Sequence, residues 1–241
     1  MEKQMDKKAL KKFIKWAKKN KIFVPGKVDE LYELTRLDLK MKNLTKIPSQ
    51  IGSLTNLEII DLSYNKLTKI PKELCELKQL TELDLEYNKI TELPDEIEQL
   101  QNLKILKLDR NAFEEFPVQI TELVSLEKLS LRSNKFENLP DEISQLVNLR
   151  VLDLFNNRLT ELPENIGKLV NLTNLNISSN RLKSVPTSFR RLINLKVLNI
   201  WSNRFDEVPD EIKDLPHIKD IGLTLSKLEL NQKLVEAVKT N

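Results

Sequence analysis

The apolar positions of this chain fall into a frame that returns every 23 residues. One copy reads Leu57, Ile60, Leu62, Asn65 and Leu67, then Ile70, Pro71, Leu74 and Leu77, with polar residues in most of the gaps. As a pattern it is L-x-x-L-x-L-x-x-N-x-L-x-x-L-P-x-x-I-x-x-L-x-x. Asn65, Asn88, Asn111, Asn134, Asn157, Asn180 and Asn203 hold this register without a slip, as do Pro48, Pro71, Pro94, Pro117, Pro140, Pro163, Pro186 and Pro209. A period of this length makes each unit one supersecondary element that buries its apolar face only by stacking on its neighbours. The Leu-x-Leu centre, as in Leu83-Asp84-Leu85, alternates with the period of a strand. Each unit therefore supplies one short strand, and units running in the same direction predict a parallel sheet, roughly 34 Å across for eight strands about 4.8 Å apart.

The asparagine stands where the chain leaves the strand. Its amide both donates and accepts, so stacked copies form a ladder that satisfies backbone groups of adjacent turns, each rung worth roughly 1–3 kcal/mol. The proline fixes φ where a short helix begins on the opposite side, a position that needs no N–H.

Eight successive units of this frame, over about residues 34–228, resemble the leucine-rich-repeat superfamily, specifically its 23-residue, proline-containing class. The repeat is similar to that of Ras-group leucine-rich-repeat scaffolds and of bacterial leucine-rich-repeat proteins. The resemblance implies an α/β fold: a horseshoe solenoid with a concave parallel β-sheet, short convex helices and helical caps at both ends. It further implies a non-catalytic module that binds a partner protein on its concave face.

The ends depart from the frame as end units of a solenoid do, because one face has no neighbour. Residues 1–33 are expected to form a basic cap and linker, 34–217 the eight repeats, and 218–241 a degenerate ninth repeat with a C-terminal cap. The first unit has Lys42 at the ladder position and the ninth has Ser226. Leu10, Phe13, Ile14 and Ala17 sit at helical spacing within residues 6–20, and Leu230, Leu234 and Val238 repeat the device near the other end.

Composition excludes several classes of function. Cys75 is the only cysteine and His217 the only histidine, so disulfides, multi-cysteine metal sites and histidine-based catalysis lack their residues, and no cofactor is expected. Asp84, Glu86, Asn88 and Asp95 partly imitate a calcium loop, but Lys89 stands where that loop needs glycine. Cys75, at a position other units fill with Gly52, Glu98 or Ser144, reads as a surface thiol on the convex side. Residues 1–26 carry nine lysines against Glu2 and Asp6, a net +7, which leaves −4 for the rest of the +3 chain. No apolar stretch approaches a membrane span and the N-terminus does not read as a secretory signal, so a cytoplasmic monomer is the expectation, with neither nucleic acid nor membrane as partner. Two alternatives stay open. One is a bacterial effector delivered into host cells without a cleavable signal, the other an adaptor that meets a membrane surface or anionic partner through the lysine-rich helix.

The outward strand positions form three columns. The candidate partner-binding residues are Tyr64, Tyr87, Lys107, Arg110, Arg132, Asp153, Phe155, Asn176 and Trp201 in these columns and Lys128 beside them. Phe155 and Trp201 lie two strands apart with only Ser178 between, and are expected to be exposed and to frame a shallow pocket. Asp61, Asp84 and Glu86 are expected to make an acidic half beside a basic strip of Lys107, Arg110, Lys128 and Arg132, a surface that orients a charged partner. An acid/base site built on Asp84 and Glu86 is the weakest reading, since an open surface does not tune carboxylates.

Overall fold

The repeat frame becomes a stack of strand–turn–helix units in a computed structural model that describes residues 5–222. The chain divides into two compact units, Met1–Ala112 and Phe113–Asn241.

The first unit opens with helices α1 (Lys7–Lys19) and α2 (Val28–Tyr32). Asp6 caps α1, its carboxylate accepting from the N–H groups of Lys8 and Ala9 at 3.0 and 2.9 Å. Leu10, Phe13, Ile14 and Ala17 are buried where α1 packs on α2 and on the first 3-10 turn, Ser49–Ser53. Strands β1 (Arg36–Asp38), β2 (Ile59–Asp61), β3 (Glu82–Asp84) and β4 (Ile105–Lys107) follow, parallel and in register at the repeat spacing. In the second unit β5 (Lys128–Ser130), β6 (Val151–Asp153), β7 (Asn174–Asn176), β8 (Val197–Asn199) and β9 (Asp220–Gly222) pair in the same way. Leu83 and Leu85 in one unit, Leu152 and Leu154 in the other, are fully buried while alternate residues face out.

The elements opposite the strands are 3-10 turns of five residues, such as Lys72–Glu76 and Asp141–Gln145; among the described residues only the last of them, α3 (Asp210–Lys213), is α-helical. Each proline caps its turn from just outside, with φ between −75° and −56°. The frame leaves one turn between proline and the next buried leucine, and i→i+3 bonds such as Ile51 N–H to Pro48 O close it (3.1 Å). The expected helix over 227–239 and the Ser226 position lie outside the described residues.

The ladder asparagines bond as their position requires. Asn65 Nδ2 donates to Leu39 O and Leu62 O at 2.8 and 2.9 Å, and its Oδ1 accepts from the N–H groups of Lys42 and Leu44. Asn157 does the same with Leu131 O, Leu154 O and Phe136 N–H. A second ladder escaped the frame. Asn56, Asn102, Asn148, Asn171 and Asn194 each donate across the stack, to Tyr32 O, Lys78 O, Val124 O, Val147 O and Val170 O at 2.8–3.0 Å. The L-x-N-L run at the foot of these units was the signal for it.

Candidate functional site

What the sheet face offers is decided by how each strand ends. The first outward residue turns its side chain back on the chain: Asp38, Asp61, Asp84, Asp153 and Asn176 accept from the N–H two residues on, at 2.9–3.2 Å. The third outward residue then takes a left-handed conformation in each of eight successive repeats, at Met41, Tyr64, Tyr87, Arg110, Ser133, Asn156, Ser179 and Ser202, with φ between 49° and 56°. None of these is glycine, so the backbone there is held against its preference by the bonds around it. The first column is thus occupied with shaping the turn, and Asp153 and Asn176, expected to meet a partner, have this structural duty as well.

In the first unit the left-handed column carries rings. Tyr64 and Tyr87 stack at 4.2 Å between centroids with their planes 13° apart, and both are exposed. Lys40 lies 5.1 Å from the Tyr64 ring and Arg110 lies 4.8 Å from the Tyr87 ring, so two cations close the ends of the stack. Burial and the neighbouring Tyr87 push the Tyr64 hydroxyl pKa up. Lys107, expected in a basic strip, is instead neutralised: its ammonium reaches Glu82 and Asp84 at 3.0 Å each. Burial alone would lower its pKa, but hydrogen bonds from Lys107 to Asp84 and Glu82 outweigh that and raise it. The acidic half and basic strip of the sequence reading therefore cancel at this point. Asp84 is itself buried, and Glu86 is pushed up by burial and then by the Asp84 and Asp109 charges, so these carboxylates are less open than the pattern suggested.

In the second unit the aromatic residues stand one column over. Phe155 and Trp201 do not frame a pocket; they touch, with centroids 5.4 Å apart and planes at 49°. Ser178, fully buried between them and bonded to Asn176, is small enough to let the rings close over it, which leaves both half-buried rather than exposed. Arg132 lies over the other side of Phe155 at 5.2 Å and reaches Asp153 at 3.7 Å. Burial raises the Asp153 pKa, opposed by the Phe155 N–H and the Arg132 and Lys128 charges. Lys128 is exposed beside this strip. The structure thus brings Arg132, Asp153, Phe155 and Trp201 into one patch, and Tyr64, Tyr87 and Arg110 into another.

Two further features differ from what the sequence predicts, one unforeseen and one reversed. A groove of about 600 Å³ flanks the second unit, lined by Glu114, Phe116, Lys135, Glu137, Leu139 and Arg158. Of its lining, Phe116 leans on Phe136, whose ring stacks with Phe113 in the core at 6.2 Å. Cys75 is buried, not a surface thiol: at the equivalent Gly52 an added Cβ would stand 2.4 Å from Glu73 O, which shows how closely the next turn approaches this position. Burial and then the Glu96 charge push its thiol up to about 12.

Models of leucine-rich repeats match residues 33–90, and of a leucine-rich repeat region residues 80–156 and 139–239. No curated protein matches significantly. Among solved structures, a leucine-rich-repeat protein of Leptospira interrogans is 39% identical with a TM-score of 0.78, over 81% of this chain and 50% of its own. The plant peptide hormone receptor RGFR1, solved in complex with RGF2, is 29% identical with a TM-score of 0.64, over 74% of this chain and 30% of its own. Internalin C2 of Listeria monocytogenes, 24% identical, shares the fold with a TM-score of 0.73 over 90% of this chain and 92% of its own. The chain thus spans half the Leptospira protein and under a third of the plant receptor.

Proposed function

This chain belongs to the leucine-rich-repeat family, and from that premise we propose that it is a non-catalytic module which binds a partner protein on the sheet face, centred on Arg132, Phe155 and Trp201. The carrying observation is the continuity of that patch: a guanidinium over one ring and a second ring against the first, reaching across four successive strands from β5 to β8, with Ser178 of β7 beneath the rings. Large rings held by their neighbours lose little freedom on association, so a modest contact yields useful affinity. Aromatic residues and arginine together are the composition of binding hot spots. The receptor RGFR1, solved with RGF2, supports the reading that a stack of this kind takes a peptide or protein ligand.

The stack of Lys40, Tyr64, Tyr87 and Arg110 favours a second contact surface on the first unit, since both of its rings are exposed. An adaptor role for the lysine-rich helix has less support. The apolar side of α1 is already buried against its neighbours, and among the described residues no helix is long and apolar enough to cross a membrane.

Wild-type protein and the Phe155→Ala/Trp201→Ala variant, both shown folded by circular dichroism, are compared as baits against lysate of the source organism. A protein retained by the wild type and lost from the variant is the expected outcome, with affinity reduced about tenfold or more. Equal retention by both would sink the assignment of this patch.

A further inference from the structure

The edge of the second unit, away from the sheet face, carries an apolar ridge. Val124, Val147, Val170 and Ile193 follow one another at the repeat spacing, and each is 43–51% exposed. They lie on successive turns joined by the second asparagine ladder: Asn148, Asn171 and Asn194 donate to the carbonyls of Val124, Val147 and Val170. With neighbouring strands about 4.8 Å apart, three steps set the ends of the ridge roughly 14 Å from each other. The same position in the first unit holds Thr55, Lys78 and Gln101. The repeat does not require an aliphatic residue there, and nothing in the described chain covers these four.

Charge runs along the ridge from one sign to the other. Glu122 stands exposed and Glu127 half-buried beside Val124, Glu127 lying 4.0 Å from Arg150 on the next turn, while Lys168, Arg191 and Lys196 stand exposed beside Val170 and Ile193. At the next turn the flanking positions are Asp214 and Lys219, so on the Arg191 side the basic flank ends with Ile193. A stripe that is apolar throughout, acidic at one end and basic at the other is complementary to itself when reversed. That is the condition for an isologous contact, in which one patch serves on both copies.

We propose that this ridge is the contact of an antiparallel homodimer, its twofold axis crossing between Val147 and Val170. Val124 of one copy then lies against Ile193 of the other, and Glu122 and Glu127 come opposite Arg191 and Lys196, twice over. The flanking charges fix direction, since a parallel pairing would set like charges together. Four aliphatic side chains and their margins fall well short of the roughly 800 Å² per partner of a standard interface, so the dimer is weak and forms only at high concentration. The sheet face takes no part in it, and each copy keeps its own binding patch.

Sedimentation equilibrium of the full chain from about 10 μM to 1 mM tests this, in the range where small interfaces associate. The wild type is expected to dimerise reversibly. Val147→Lys/Val170→Lys, on exposed positions that leave the fold intact, is expected to weaken the dimer about tenfold or more. Glu122→Lys or Arg191→Glu alone is expected to weaken it about three- to tenfold, each pair being broken twice, and the two changes together restore it. A wild type that stays monomeric throughout, or a double charge swap that fails to restore association, overturns the proposal. So does co-sedimentation of a monomer with phosphatidylserine vesicles that is lost in Val147→Lys/Val170→Lys, which would make the ridge a membrane face.

Discussion

The two compact units are built by one rule and finished differently. In both, asparagines tie successive turns, prolines start the 3-10 turns, and the residue before each ladder asparagine is left-handed. On the sheet face, however, the first unit sets two tyrosines on the left-handed column with a cation at each end, and the second sets Phe155 and Trp201 one column over, closed above a buried serine. On the outer edge the first unit is polar where the second is aliphatic. The repeat therefore fixes the backbone and a set of inward positions, and the remaining positions vary without cost to the stack. Function on such a scaffold is read from those remaining positions.

Removing a rung from each unit tests whether the scaffolds are equivalent. Asn88→Ala and Asn157→Ala each leave buried backbone groups without partners, and each is expected to cost roughly 1–3 kcal/mol. Urea unfolding measures both; a cost present in one unit and absent in the other would break the equivalence. Glycine at the left-handed column separates backbone from decoration. Ser179→Gly relieves an unfavourable φ and is expected to stabilise by up to about 1 kcal/mol. Tyr87→Gly gains the same relief but loses a stacked ring and a cation–π contact, each worth about 0.5–1.5 kcal/mol, so its net effect is a loss. Thermal unfolding that showed gains in both would mean that the tyrosine stack holds nothing.

A smaller contrast lies in the first column. Asp84→Asn takes a carboxylate from Lys107 and is expected to destabilise. Asp153→Asn is expected to stabilise at pH 7, because burial raises the Asp153 pKa and asparagine keeps the turn, as Asn176 shows. The sign follows from linkage: a carboxyl with a raised folded pKa favours folding below its unfolded pKa, about 4, and loses that contribution as pH rises through the folded value. The gain at pH 7 should therefore vanish near pH 3; a gain that persists there has another origin. The smallest effect is chemical. Cys75 is buried with its thiol pushed up to about 12, so a maleimide at pH 7.5 should leave the folded protein unlabelled and react once urea unfolds it. Ser144→Cys, half-buried at the same repeat position, should label in the folded state and thereby sharpen the contrast.

Much of this architecture was legible because burial imposes it. Leu83, Leu85, Asn88 and Pro94 have no freedom, and their spacing states the strand, the turn and the start of the helix. What the sequence hid depends on how side chains meet. Lys107 reads as part of a basic strip until its two carboxylate partners are seen. Phe155 and Trp201 read as the walls of a pocket, because nothing in the spacing says that a buried Ser178 lets the rings meet. Cys75 reads as a surface thiol because Glu98 fills the same position, although Gly52 there hints at crowding. The left-handed column had no residue signal at all, since tyrosine, arginine, serine and asparagine all occupy it.

The hydrogen bonds that bind one turn to the next carry a consequence for inheritance. Within a unit they join residues at the same few separations: 26 from Asn157 Nδ2 to Leu131 O, 24 from Asn171 to Val147 O, and 21 from Leu159 N–H to Asn180 Oδ1. Excising residues 151–173, one period, would place Asn180 where Asn157 had been and return each of these ladder bonds a partner of the same kind. A coding sequence of this type can gain or lose whole periods by unequal recombination without disturbing the junction, so copy number is open to selection independently of the fold.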